Sequence, residues 1–214
     1  PLNGMVNNAE ITLGDGSVGL YSRGKGSAVA DRNTVTNNGK INVTDKGNIG
    51  VYADGKYTFN HSGTDEKISV GTNAVGIYAK NAAGALNIKA PIDIAASGTG
   101  TNAGTTIGIY TDGDAKVKFG AGSKLKIGEK AVGLYSANPT KFNNTFKIET
   151  GKILDVELGK NSTFGLLNGN SGNVSVGSYL NNGNNNNVKI TNFGTGASVF
   201  YTTGGVTANL DQDY

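Results

Sequence analysis

The amino-acid sequence predicts an all-β chain coiled as a triangular parallel β-helix of about seven rungs, and three observations carry that expectation. A seven-residue phrase returns along the chain as "SVGLYSR" (17–23), "NIGVYAD" (48–54), "AVGIYAK" (74–80), "TIGIYTD" (106–112) and "AVGLYSA" (131–137). Short runs of alternating apolar and polar residues stand before and after each copy. Gly and Asn recur at fixed offsets from the phrase, where a chain that repeats its shape must repeat its turns.

The Gly of the phrase anchors the repeat at Gly19, Gly50, Gly76, Gly108, Gly133 and Gly165, with Val199 in "ASVFYT" as a seventh, degenerate position. Successive anchors lie 25 to 34 residues apart. A period in that range marks a solenoid, a propeller or an array. The runs before the phrase are "ITL" (11–13), "INV" (41–43), "ISV" (68–70), "IDI" (92–94), "LKI" (125–127), "VEL" (156–158) and "VKI" (188–190). Period two means strands with one buried face. After the phrase come "YTF" (57–59), "LNI" (86–88), "VKF" (117–119), "VSV" (174–176) and "VTA" (206–208). Three short strands per repeat form one rung of a triangular β-helix.

Turns follow. Three places after the Tyr stand Gly24, Gly55, Asn81, Gly113, Asn138, Asn170 and Gly204, residue types that accept a positive φ at little cost. This column predicts a left-handed corner in each rung. A second, partial column, Gly14, Gly71, Gly128 and Gly159, directly follows the first strand and marks another corner. Within "VGIYA" a period of two places the first, third and fifth residues inside, and Gly and Tyr outside. Tyr21, Tyr52, Tyr78, Tyr110, Tyr135 and Tyr201 then form an outer ladder at the rung spacing of about 4.8 Å, interrupted at Leu167. The opposite facing, Tyr inward, would leave a Val/Ile row on the surface. Three segments lengthen single rungs between strands, namely 95–106, 136–152 and 177–187.

Composition excludes several classes. With no Cys the chain has neither a disulfide framework nor a thiolate metal site, and one His leaves no histidine zinc centre. The net charge of +3 is scattered, so no nucleic-acid footprint is drawn. Gly, at 34 residues, is about twice its usual share, while three Pro exclude a collagen or Pro-rich linker. The sequence begins and ends inside its own repeat pattern, which predicts that 1–214 is one undivided segment of a longer protein.

The iterated "VGIYA" and "VGLYS" phrases, in a Cys-free chain rich in Gly and Asn, resemble the passenger region of type V secretion autotransporters, especially the very large fusobacterial outer-membrane adhesins. That resemblance spans nearly the whole chain. It implies a right-handed parallel β-helix, exported to the cell surface or beyond and tethered by a C-terminal outer-membrane β-barrel of the same polypeptide. The implied partners are surface proteins or glycans of host cells or other bacteria. Rungs of this length suit the monomeric class rather than the trimeric one.

Candidate chemistry is sparse. The column two places after the Tyr, Arg23, Asp54, Lys80 and Asp112, reads as a cross-rung charge ladder, or as the carboxylates of a polysaccharide-cleaving site if a groove accompanies them. "TDGDAK" (111–116) has two Asp but lacks the further ligands of a calcium loop. His61 in "FNHSGTDE" reads as a solvated loop residue. No catalytic, cofactor-binding or metal-binding residue is expected. The Tyr ladder is the candidate partner surface, since exposed rings offer contact area at low entropic cost. The expected function is a non-catalytic adhesin segment or stalk; the alternatives are a polysaccharide-binding or -cleaving β-helix and a purely structural rod.

Overall fold

The computed structural model describes residues 4–24, 33–44, 47–55, 57–63, 67–80, 85–99, 105–182 and 185–209. Three parallel walls run the length of the stack. The first wall is formed by β1 (Met5–Asn7), β4 (Asn33–Asn37), β7 (Tyr57–Ser62), β10 (Ala85–Lys89), β13 (Val117–Phe119) and β16 (Phe146–Ile148). The second comprises β2 (Ile11–Thr12), β5 (Ile41–Val43), β8 (Ile68–Val70), β11 (Pro91–Ile94), β14 (Lys124–Ile127), β17 (Leu154–Leu158) and β22 (Val188–Phe193). The third holds β3 (Val18–Gly24), β6 (Ile49–Gly55), β9 (Val75–Lys80), β12 (Ile107–Asp112), β15 (Val132–Ser136), β18 (Thr163–Asn168) and β23 (Ser198–Thr203). One strand per wall makes a rung, so the chain is a parallel β-solenoid of six complete rungs and a seventh whose first side departs from the pattern.

Each inner face buries its apolar columns. Ile41, Ile68, Ile92, Leu125 and Val156 stack in register along the second wall, all but inaccessible to water. Val35, Phe59, Leu86, Val117 and Phe146 do the same along the first. At about 25 cal/mol per Å2 of apolar surface removed from water, such columns supply the main driving force. Rung-to-rung hydrogen bonds satisfy the backbone around them.

The facing of the phrase departs from strict alternation. In β9 Ile77 and Ala79 point inward and Tyr78 outward, but Gly76 also faces the core and Val75 is on the outer side. Two consecutive residues therefore face in, and the parity slips between them. A Cβ on Gly76 would lie 2.8 Å from Val70 Cγ2 and 2.6 Å from the Gly108 carbonyl oxygen of the next rung. Gly50 meets Val43, Gly108 meets Ile94 and Gly133 meets Ile127 in the same way. The phrase needs Gly because the last inward side chain of the second wall occupies the space a Cβ would take.

The sixth rung is anchored one residue earlier than the Gly pattern indicates. Leu134 pairs with Gly165 and Tyr135 with Leu166, so Phe164 stands at the Gly position. Phe164 fills the interior, and Gly165 in turn makes room for the Phe200 ring, 2.6 Å from where its Cβ would lie. The residue that interrupts the tyrosines is Leu166, not Leu167, which is buried.

Corners divide into two kinds. Gly55, Gly113 and Gly204 adopt φ of +71°, +66° and +66° after the third wall. Gly24 stands opposite Gly55 in register, and Asn81 lies outside the described residues. Asn138 instead has φ −127°, because a 3-10 turn at Pro139–Lys141 and a one-turn helix at Phe142–Thr145 carry the chain round. Gly169, whose carbonyl lies beneath Gly204, takes the corner assigned to Asn170, and neither has a positive φ. The left-handed column missed by sequence lies between the second and third walls, at Gly16, Gly47, Asn73, Lys130, Asn161 and Gly196. Four of these turns are closed by amide-to-carbonyl bonds from Ala74 to Gly71, Ala131 to Gly128, Ser162 to Gly159 and Ala197 to Gly194.

Two of the lengthened segments are structured. Phe146–Ile148, within 136–152, is the sixth strand of the first wall, and within 177–187 a one-turn helix at Gly177–Leu180 is followed by the short antiparallel pair β20 (Asn181–Asn182) and β21 (Asn185–Asn186). Just before that helix in sequence, β19 (Gly172–Ser175) pairs with β24 (Val206–Asn209) in a two-stranded parallel sheet. His61 is fully buried rather than solvated. It continues an inner polar column: Asn7 Nδ2 donates to Asn37 Oδ1 at 2.7 Å, and Asn37 Nδ2 contacts His61 Nδ1 at 3.1 Å. With the Asn37 amide nitrogen as the donor, Nδ1 is the acceptor in this contact.

Candidate functional site

The outer face of the third wall gathers the residues singled out by sequence. Period-two geometry turns Tyr21, Tyr52, Tyr78, Tyr110 and Tyr135 outward, and the parallel register pairs each with the next. Their rings stack with centroids 5.4, 5.2, 4.8 and 4.6 Å apart and planes within 17° of parallel. Tyr201 sits two rungs beyond Tyr135, across Leu166. The two outermost rings, Tyr21 and Tyr201, are 56% and 55% exposed, and those between are half-buried by their neighbours. Each stacked pair contributes about 0.5–1.5 kcal/mol beyond the area it buries.

Stacking decides what the ladder offers. Ring faces inside it are covered by other rings, so the surface displays edges and hydroxyls rather than platforms on which a sugar could lie flat. Burial raises the Tyr78 pKa above its ordinary value, reinforced by Asp112, Tyr52 and Asp54. Tyr110 is raised by burial, then by Tyr78, Tyr135 and Asp112. The Tyr78 and Tyr110 phenols therefore stay neutral donors well beyond physiological pH.

The charge column flanks the tyrosines. Arg23 pairs in register with Asp54, Asp54 with Lys80, and Lys80 with Asp112, so the sign alternates rung by rung. Arg23 Nε lies 3.9 Å from Asp54 Oδ2. On the other side of the tyrosines runs an outer apolar row, Val18, Ile49, Val75 and Ile107, which strict alternation had placed inside.

A second feature, absent from the sequence reading, is a shallow groove of about 490 Å3 along the second wall and its corner. Asp93, Lys126 and Glu157 line it on consecutive rungs. Lys67 Nζ lies 2.7 Å from Asp93 Oδ2 and Lys124 Nζ 2.5 Å from Glu157 Oε1, so both carboxylates are already engaged. The Glu157 hydrogen bond raises the Lys124 pKa. Alternation of Asn42, Ser69, Asp93 and Lys126 in one column was visible in "INV", "ISV", "IDI" and "LKI", but nothing in those triplets signals a concave surface. Asp54 and Asp112 do not line this groove.

Among the described residues no cluster of three or more His, Cys, Asp or Glu is placed to hold a metal ion. No helix among them is long and apolar enough to cross a membrane, which leaves membrane-spanning strands unaddressed. No family model, curated protein or solved structure matches the chain.

Proposed function

We propose that this chain is a non-catalytic rod segment of a bacterial surface adhesin, the passenger of an autotransporter that displays it outside the cell. The observation that carries the reading is the continuous parallel stacking of the third wall, seven strands in one sheet, five of which set one outward tyrosine on the next. Such a stack makes a stiff spacer and a repetitive contact face at once. The phrase resemblance and the Cys-free composition support export, and surface proteins or glycans of host cells or other bacteria are the proposed partners. The C-terminal β-barrel of the same polypeptide would hold the rod to the outer membrane.

The test is attachment. Beads coated with the purified chain should adhere to epithelial or bacterial cells more than beads coated with an inert β-rich protein. Replacing Tyr52, Tyr78 and Tyr110 together by Ser, with the fold checked by circular dichroism, should reduce adherence. Equal adherence would leave the segment a spacer only, the purely structural reading.

The groove favours a second reading, a polysaccharide-binding or -cleaving β-helix. That reading expects chain shortening on a polysaccharide panel, abolished by Asp93→Ala or Glu157→Ala; such a result would overturn the non-catalytic assignment.

A further inference from the structure

The outer face of the third wall is not uniform along the rod. Its apolar row, Val18, Ile49, Val75 and Ile107, occupies rungs one to four; Val132 in rung five is only 5% exposed, and rungs six and seven carry Thr163 and Ser198. The charged column ends at the same height, since Asp112 in rung four is followed by Ala137, Asn168 and Thr203. Two independent columns thus stop at the same rung on either side of the tyrosines. A merely structural ladder has no reason to lose both flanking columns at one height.

We infer that this four-rung patch docks a second copy of the same chain, face to face and antiparallel. The argument is charge complementarity. From rung one to rung four the signs run plus, minus, plus, minus, through Arg23, Asp54, Lys80 and Asp112. A twofold axis along the strand direction, passing between rungs two and three, lays each column against itself in reverse order. Arg23 then faces Asp112 of the second copy, and Asp54 faces Lys80, so all four pairs are opposite in sign. Tyr rows meet Tyr rows, and the apolar row meets its own copy. Slipping by one rung sets Arg23 against Lys80 and Asp54 against itself, so every aligned pair repels. A twofold along the rod axis fails differently, because it lays the charged column on the apolar row. A slip of two rungs restores opposite signs but leaves two facing pairs in place of four, so one register and one direction satisfy the whole face, the condition an isologous contact must meet.

Six residues across and four rungs high, the patch covers roughly 400 Å2 per copy, about half of a standard interface. Association of free chains is therefore weak, with Kd in the high micromolar range or above, and becomes effective when many chains stand together on a surface. This goes beyond the adhesin reading and uses the same tyrosine face, so a paired chain covers the surface that an unpaired chain would present to a cell.

Sedimentation equilibrium from about 10 μM to about 1 mM measures the association. The parent chain should dimerise with rising concentration, less so at high salt. Asp54→Lys and Lys80→Asp should each weaken the dimer by about tenfold or more, because two facing pairs become like-charged. An equimolar mixture of the two variants should recover the parent affinity, since every facing pair is again opposite. Arg23→Asp mixed with Asp112→Lys provides the same rescue from the other two positions, should either first variant fail to fold by circular dichroism. A parent chain monomeric at the highest concentration, or mixtures no stronger than their components, would overturn the inference. Cell adherence retained by a non-associating variant would leave the proposed function standing without it.

Discussion

Gly71→Ala and Gly14→Ala change the same residue in the same corner column and should have opposite consequences. A Cβ on Gly71 would sit 2.7 Å from the Val43 carbonyl oxygen and 2.8 Å from both C and O of Thr44 in the preceding rung, whereas nothing lies within 4 Å of one on Gly14. Neither glycine has a positive φ, so the difference is one of space and not of backbone conformation. Relieving the Gly71 contacts requires the rungs to part by about half an ångström at the corner, because overpacked groups must move or strain. The Gly71 amide donates to the Val43 carbonyl at 2.6 Å, and that bond would lengthen as the rungs part. Overpacking costs about 1–3 kcal/mol and a weakened buried hydrogen bond about 1 more, against a gain of about 0.4–1 from the less flexible unfolded chain. Gly71→Ala should therefore lose about 1–3 kcal/mol, while Gly14→Ala should be neutral or slightly stabilising. Urea unfolding followed by far-ultraviolet circular dichroism measures both midpoints. Equal midpoints for the two variants would refute close rung stacking as the reason for glycine in this column.

Leu166→Tyr would join Tyr135 to Tyr201 and complete the ladder; it should raise stability by about 0.5–1 kcal/mol and strengthen the near-ultraviolet tyrosine circular dichroism, and an unchanged signal would mean that ring six does not stack. Phe164→Ala should cost about 3–5 kcal/mol in thermal unfolding, because Gly165 beside it cannot fill the space. His61→Leu should cost about 1–3 kcal/mol in urea, since Asn37 loses the ring nitrogen as acceptor; a variant as stable as the parent would show that the Asn37 contact contributes nothing. Tyr78 and Tyr110 have folded pKa values raised above the ordinary 10.0. Their contribution is complete below about pH 10 and is lost as pH rises further, so the urea midpoint should fall in that alkaline range and hold steady below it.

How much of this was legible depended on which physical quantity the sequence records. Columns that must match between rungs leave a mark at a fixed spacing, so the three walls, the Tyr ladder and the alternating charges could be read from "VGLYSR", "VYAD", "IYAK" and "IYTD". The slip at Gly76 could not. Period two treats alternation as unbroken, while two inward neighbours arise from a demand of the second wall, the space taken by Val70. Gly165 misled for a related reason. The rung preserves the combined volume of two inner positions, met by Gly133 with Leu134 and, in reverse, by Phe164 with Gly165. Lys130, at φ +57°, holds a left-handed corner without the residue type that signals one. His61 was hidden by polar neighbours, because burial of a polar column depends on Asn7 and Asn37 arriving from other rungs. The patch boundary at rung four needed register before it could be seen at all.

Stacking strands across the rod gives it an unequal response to tension. In a pull along the axis, the rung-to-rung hydrogen bonds lie in line with the force, and each rung is held chiefly by its neighbours. Terminal rungs would peel in turn, each giving up about 4.8 Å of rod height while its roughly 30 residues release about 100 Å of extended chain. A tether built this way lengthens some twentyfold per rung surrendered, absorbing a jolt at one end while the remaining rungs keep their shape.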